Sequence, residues 1–147
     1  AAARGDEDLA RKLVQAGAKI EGVTLQEAVR GGNTAIVELL VDHGASLNDK
    51  ESHYDAPLSI AAHFGDTEMA RLLLLKGADV NYMNPENETA LSNAILGERL
   101  SMVGVLLAAG ADLTLRWTDD MSVLDMAVES GKVEIVRMLV DHGMEVN

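Results

Sequence analysis

The sequence APLSIAAHFGDTEMARLLLLKGADVN, residues 56–81, contains two short apolar runs that Gly65 separates and Gly77 ends. Pro57 lies just inside the first run. Proline is favoured at the first position of a helix and glycine just after the last one. The stretch therefore predicts two short helices joined by a tight turn. Because helices shorter than about 12 residues are marginal in water, the pair must pack against other parts of the chain.

The same pattern returns every 33 residues along the chain. Glycines that end the second helix recur at Gly44, Gly77, Gly110 and Gly143. Apolar positions of the first helix recur at Leu25, Leu58, Leu91 and Leu124, and at Ala28, Ala61, Ala94 and Ala127. A leucine of the second helix recurs at Leu40, Leu73, Leu106 and Leu139. Because independent sets of positions share one period, the chain is predicted to be a stack of similar units.

The repeating unit resembles the ankyrin repeat. The motif TPLHxAA of that family is matched by APLSIAA from Ala56, TALSNAI from Thr89 and SVLDMAV from Ser122. The His of the motif is replaced by Ser59, Ser92 and Asp125. The resemblance covers nearly the whole chain. It implies one all-α domain over residues 1–147, an ankyrin-repeat solenoid of helix–turn–helix units with β-hairpin fingers between them.

The units differ from one another at three places. Their predicted bounds are a partial unit at about 1–22, then 23–48, 55–81, 88–114 and 121–147. Glu98 stands where the other units have a glycine in the helix–helix turn, so we expect this turn to be rebuilt locally. The finger turns favour left-handed backbone, which suits Asn87 and Asp120. The last unit is expected to leave Val133, Val136 and Val140 partly uncovered unless further chain follows it.

Charge and composition exclude several functions. The 147 residues carry a net charge of −12. Nucleic acids and anionic membranes bind clusters of Lys and Arg, so neither is an expected partner of this acidic chain. The chain has no cysteine for disulfides or thiolate metal sites. It has no apolar run of the roughly 18 residues that a membrane-spanning helix needs. Because no signal-peptide pattern opens the sequence, the expected location is the cytoplasm or the nucleus.

No motif for catalysis or for a cofactor was found, so the prediction is a protein that is not an enzyme and needs no cofactor. A metal site made by His53, Asp55 and His63 is disfavoured, because nothing in the sequence supports a second shell. His43 and His142 recur near helix C-termini and are interpreted as repeat features. The asparagines that close the units are predicted to bond the hairpin backbone through their amides. They are Asn48, Asn81 and Asn147.

The aromatic residues give the clearest indication of a binding surface. The chain has one Trp, two Tyr and one Phe, all outside the repeating core positions: Tyr54, Phe64, Tyr82 and Trp117. Three of them fall in fingers, and Phe64 falls at the end of a first helix. Two interpretations are open: these side chains fill gaps between neighbouring fingers, or they form an apolar strip in an acidic groove. The second is favoured for the set, since aromatic residues and Met are enriched at interfaces.

The predicted function is to bind another protein through the concave face, as the resemblance implies, and the chain is predicted to be a monomer. The net negative charge predicts that the partner segment is basic. The apolar strip predicts that the segment also carries an apolar anchor. The predicted contact residues are Tyr54, Asp55, His63, Phe64, Tyr82, Met83, Glu86, Glu88, Leu96, Arg116, Trp117, Asp119, Met121 and Glu129. The alternatives are a small-molecule-sensing ankyrin domain and a structural spacer within a larger protein.

Overall fold

The computed structural model describes residue 12 and residues 22–48 and 56–143. The α-helices of these ranges are α1 (Gly22–Arg30), α2 (Thr34–Asp42), α3 (Pro57–Phe64), α4 (Thr67–Leu75), α5 (Ala90–Leu96), α6 (Leu100–Ala108), α7 (Val123–Ser130) and α8 (Val133–Asp141). A 3-10 turn covers Thr118–Asp120. No helix in these ranges combines the length and the hydrophobicity needed to span a bilayer.

The helices form two parallel rows. Each odd-numbered helix packs against the even-numbered helix that follows it, and also against the next odd-numbered helix. The even-numbered helices contact one another in the same order. We call α1, α3, α5 and α7 the inner row and the others the outer row. This arrangement confirms the predicted all-helical solenoid of stacked helix pairs.

The repeating apolar positions form the core between the rows. The outer-row leucines at the repeat position are all buried: Leu40, Leu73, Leu106 and Leu139. In the inner row, Ala61, Ala94 and Ala127 are buried and Ala28 is half-buried. Alanine at these positions allows neighbouring inner helices to approach closely. One periodic set of small residues and one of large residues therefore recur in the core of successive units.

Two of the three residues that replace the motif's His, Ser92 and Asp125, take part in helix capping. Ser92 donates its backbone N–H to the Thr89 hydroxyl at 3.1 Å, and Thr89 N–H donates to Ser92 Oγ at 2.9 Å. Ser122 and Asp125 form the same reciprocal pair at α7. The hydrogen bond from the Ser122 hydroxyl is the main reason that the pKa of the Asp125 carboxyl is lowered. Both helices thus satisfy backbone groups that a helix start leaves unpaired.

The turn at Glu98 is not rebuilt, contrary to the expectation from the sequence. The glycines at the same place in the other units are Gly32, Gly65 and Gly131, with φ of 72° or 73°. Glu98 adopts the same left-handed conformation, with φ of 56°. The turn keeps its hydrogen bond from Arg99 N–H to Ala94 O at 2.8 Å, as Asp66 N–H bonds Ala61 O at 3.0 Å. Glu98 therefore carries backbone strain that the rest of the turn maintains.

Replacing Glu98 with Gly is expected to raise the free energy of unfolding by up to about 1 kcal/mol. The substitution relieves about 1–2 kcal/mol of left-handed strain. The greater freedom of glycine in the unfolded chain offsets part of that gain. It also removes the exposed ion pair between Glu98 Oε2 and Lys132 Nζ, at 3.3 Å, and such pairs contribute about 0–1 kcal/mol. Urea unfolding followed by circular dichroism measures the difference.

Two further variants separate the backbone effect from the charge effect. Glu98→Gln keeps the strained backbone and removes the charge, so we expect a change within about 0.5 kcal/mol. Gly131→Ala puts a Cβ into open space at φ of 73°, and we expect it to lose about 1–2 kcal/mol. A destabilised Glu98→Gly variant would show that the side chain contributes more than the strain costs.

The fingers are turns without β-ladders in the described residues. The second finger closes through a hydrogen bond from Asn84 N–H to Glu88 O at 3.0 Å, and the third through Trp117 N–H to Met121 O at 2.9 Å. Arg116 and Ser122 form one isolated antiparallel bridge. The hairpins are thus present as closed turns, too short to form strands. The predicted left-handed residues are confirmed at Asn87 and Asp120, with φ of 64° and 60°, and Asp119 also has φ of 61°.

The closing asparagines connect neighbouring units. Asn48 Oδ1 accepts from Asp79 N–H at 2.8 Å, and Asn81 Oδ1 accepts from Asp112 N–H at 2.6 Å. Asn48 Nδ2 also donates to Gly77 O at 3.2 Å. The amides do bond backbone, but at the loop after the next outer helix and not in the finger. Asn147 lies outside the described residues.

The face of α7 and α8 that points away from the other helices is partly uncovered, as expected. Val128 is 60% exposed, whereas its counterpart one unit earlier, Ile95, is fully buried. Val136 and Val140 are half-buried. Val133 is 62% exposed, but its counterpart Leu100 is also 41% exposed, so this exposure belongs to the start of an outer helix.

Candidate functional site

A hollow of about 540 Å³ lies where the ends of α3 and α5 face the second finger. We call it the first hollow. Its walls include Arg30, His63, Phe64, Glu88 and Leu96. Phe64 and Leu96 are 54% and 51% exposed. The rings of His63 and Phe64 meet edge to face, with centroids 5.2 Å apart. The first hollow thus combines exposed apolar surface with one basic and one acidic side chain.

Asn84 holds the acidic side chain of the first hollow in place. Its Nδ2 donates to Glu88 Oε2 at 3.0 Å, and its Oδ1 accepts from the backbone N–H groups of Glu88 and Glu86 at 2.8 and 3.0 Å. Asn84 itself is buried. Asn84 was not predicted from the sequence, although an asparagine that bonds backbone two residues on is typical of tight turns.

A second hollow of about 280 Å³ lies one unit further along, beside α7 and the third finger. Its walls include Leu96, Glu98, Trp117, Met121, Met126 and Glu129. Glu98 is paired with Lys132, whereas Glu129 makes no ion pair within the described ranges. Leu96 lines both hollows, which therefore adjoin each other along the inner row, and we call the two hollows together the groove.

Two predicted contact residues are less accessible than expected. Tyr82 is only 5% exposed, so the expectation that it contributes to an exposed strip is wrong. It directly follows Asn81, at the base of the finger, where the folded chain covers it. Trp117 is half-buried and packs against the hydrophobic core, and Met121 does the same. Trp117 Nε1 is buried without a hydrogen-bond acceptor among the described residues. The burial of Tyr82 and the core contact of Trp117 therefore favour a packing role for these two residues.

The remaining predicted contact residues are distributed around the groove. Glu86 and Asp119 are exposed on the fingers. Met83 lines a small cavity with Trp117, apart from both hollows. Arg116 bonds its own finger, through Nη1 to Asp120 O at 3.2 Å. Tyr54 and Asp55 lie outside the described residues.

The histidines show no arrangement for metal binding in the part of the chain that the structure describes, where no three potential ligands cluster. His53 and Asp55 fall outside that part. His43 Nδ1 lies 2.8 Å from Leu39 O, and His142 Nδ1 lies 3.1 Å from Met138 O. Each of these two imidazoles bonds the last turn of its own outer helix, which agrees with a repeat feature.

Several described wall residues were not among the contact residues predicted from the sequence: Arg30, Ser59, Ile60, Asn93, Gly97, Glu98, Met126 and Ser130. A signal for some of them was available. Arg30 precedes His63 by one period, and Met126 follows Asn93 by one period. An alignment of the units at the C-terminal part of the inner helix would have identified Arg30 and Met126.

Comparison with known proteins agrees with this architecture. A search of curated proteins gives no significant match. The family model for ankyrin repeats (3 copies) matches residues 1–84 and 58–147, which together cover the whole chain. The chain therefore belongs to the ankyrin repeat family.

Proposed function

We propose that this chain binds another protein through the groove formed by the two hollows, and that the bound segment is basic with an apolar anchor. Ankyrin repeats are generally protein–protein interaction modules. The observation that carries the proposal is the pair Phe64 and Leu96. Both side chains are more than half exposed and both line the first hollow. Scattered exposed apolar residues are ordinary, but neighbouring ones in a cleft favour a binding site.

Charge supports the basic character of the partner. The chain carries a net charge of −12, and Glu86 and Asp119 are exposed on the fingers beside the groove. A field of one sign accelerates the encounter with a partner of the opposite sign. Affinity would rest mainly on the apolar contacts, because exposed ion pairs contribute little.

The proposed contact set is smaller than the one predicted from the sequence. It keeps the residues that line the hollows: His63, Phe64, Glu88, Leu96, Trp117, Met121 and Glu129. Glu86 and Asp119 contribute charge at the rim, and Tyr82 is withdrawn because it is buried. Tyr54, Asp55, Met83 and Arg116 remain untested predictions. The protein is proposed to act as a monomer without enzymatic activity, in the cytoplasm or the nucleus.

A nucleotide sensor is disfavoured by the chemistry of the first hollow. Among the described wall residues, Arg30 alone carries a permanent positive charge, whereas phosphate groups are typically held by several donors or cations. No observation favours the structural spacer over a binding module.

Replacing Phe64 with Ala is expected to weaken partner binding at least tenfold, about 1.4 kcal/mol. Aromatic side chains that enter an interface are frequent hot spots. Because Phe64 is 54% exposed in the free chain, its removal should leave the urea midpoint nearly unchanged. The experiment captures partners from a lysate on the wild-type chain, then measures the kinetics of the captured partner with each variant.

Two controls accompany this measurement. Leu75 is 82% exposed at the end of an outer helix, so Leu75→Ala removes a similar side chain away from the groove and should not change affinity. Glu86→Gln should mainly slow association, with a smaller effect at high salt. If Phe64→Ala and Leu75→Ala bind the partner equally well, the groove is not the binding surface.

A further inference from the structure

We infer that the groove contains two subsites one repeat apart, of which the first takes an apolar side chain and the second a Lys or Arg of the same partner segment. This inference rests on the proposed function and specifies the partner it would accept. It follows from the repeat relation between the two hollows and from the charge balance among the described wall residues of each.

The two hollows occupy the same place in successive units. Leu96, Met121, Met126 and Glu129 of the second hollow stand 33 residues after His63, Glu88, Asn93 and Leu96 of the first. The chemistry of the walls is exchanged between them. The finger side is acidic in the first hollow, with Glu88, and apolar in the second, with Met121. The helix side is apolar in the first, with Leu96, and acidic in the second, with Glu129.

The first hollow has balanced charge among its described wall residues. Arg30 and Glu88 both line it, and the Glu88 carboxylate already accepts a hydrogen bond from Asn84. A charged group of the partner would be attracted by one of these two side chains and repelled by the other. The exposed surface of Phe64 and Leu96 is what remains to be covered. The first hollow is therefore suited to an apolar side chain.

The second hollow has an acidic group, Glu129, without a counter-ion among the described residues. Glu98 is paired with Lys132, but no base within the described ranges pairs with Glu129. Leu96, Trp117 and Met121 form apolar walls beside it. Lys and Arg can lay their methylene stems along such a wall and direct their charge to a carboxylate. An indole ring adds favourable contact with a cation. The second hollow is therefore suited to a basic side chain.

The spacing of the inner helices sets the spacing of the two side chains. The hollows are separated by the step from one inner helix to the next, and packed helix axes lie about 8–10 Å apart. An extended chain advances about 3.3 Å per residue. The partner segment should therefore carry a large apolar residue and a Lys or Arg about three positions apart, in either chain direction.

A peptide selection tests this arrangement. A display library of random 12-residue peptides is enriched on the wild-type chain, and the enriched peptides are titrated against Glu129→Lys and Glu134→Lys. Glu134 is an exposed acid on α8 outside both hollows, so the two variants change the net charge equally. We expect enriched peptides to carry the apolar and basic pair. Glu129→Lys should weaken them at least tenfold more than Glu134→Lys does. A second selection on Glu129→Lys should enrich Asp or Glu at the basic position.

The outcomes separate this inference from the proposed function. If enriched peptides lose affinity on Phe64→Ala but respond equally to Glu129→Lys and Glu134→Lys, the groove binds peptides and the assignment of the second subsite is wrong. If the basic residue of the enriched peptides lies at a distance other than about three positions from the apolar residue, the proposed spacing of the two subsites is wrong. If no peptide is enriched, or if Phe64→Ala leaves every enriched peptide unaffected, the proposed function itself fails. Circular dichroism of each variant confirms that it is folded.

Discussion

Replacing Leu106 with Ala is expected to lower the free energy of unfolding by about 2–5 kcal/mol. Leu106 is fully buried in α6, and α6 packs against α4, α5 and α8. Truncation removes apolar contacts and leaves a cavity that the rigid helix pairs cannot fully close. In a stack of repeats, stability depends on the contacts between neighbours, so a defect in an interior unit weakens the interfaces on both sides.

The matched control for this prediction is Leu75→Ala. It makes the same chemical change at the end of α4, where the side chain is 82% exposed. Surface substitutions of this kind usually change stability by less than about 0.5 kcal/mol. Urea unfolding of both variants, followed by far-UV circular dichroism, gives the comparison. Equal midpoints for Leu106→Ala and Leu75→Ala would contradict the assignment of Leu106 to the core.

The 33-residue period made most of the fold predictable. Each unit repeats the same local geometry, so the leucine that is buried in one outer helix is buried in the others. Leu73 and Leu106 illustrate this relation, since both are fully buried. The period fails at Glu98, where a residue that disfavours left-handed backbone still adopts it. The strain of about 1–2 kcal/mol is smaller than the stabilisation from the contacts that hold the turn. A sequence pattern does not give the relative size of these two energies.

The candidate site was only partly predictable. Phe64 and Leu96 were placed correctly on an exposed wall, because both lie at the end of inner helices outside the core period. Tyr82 was placed there wrongly, because the repeat pattern does not indicate whether a residue outside the repeating core positions is buried. Asn84 was missed because its role comes from hydrogen bonds to Glu86 and Glu88 that only the folded turn creates.

Replacing Ala94 with Leu is expected to lower the free energy of unfolding by about 1–3 kcal/mol. Ala94 is fully buried in α5, which packs against α3 on one side and α7 on the other. A larger side chain has no space there unless a neighbouring inner helix moves. Leucine is nearly as good a helix former as alanine, so the helix propensity of the segment is almost unchanged. The loss would therefore report overpacking between inner helices.

Ala108→Leu provides the control for Ala94→Leu. Ala108 is exposed at the end of α6, so the same substitution there adds a side chain to the surface. We expect its urea midpoint to stay close to that of the wild type. Overpacking should also move the inner helices apart, which would expose nearby amide groups to hydrogen exchange in α3 and α7 before the outer helices. An unchanged urea midpoint for Ala94→Leu would mean that the inner helices have room at this position, and close packing through alanine would no longer explain the inner row.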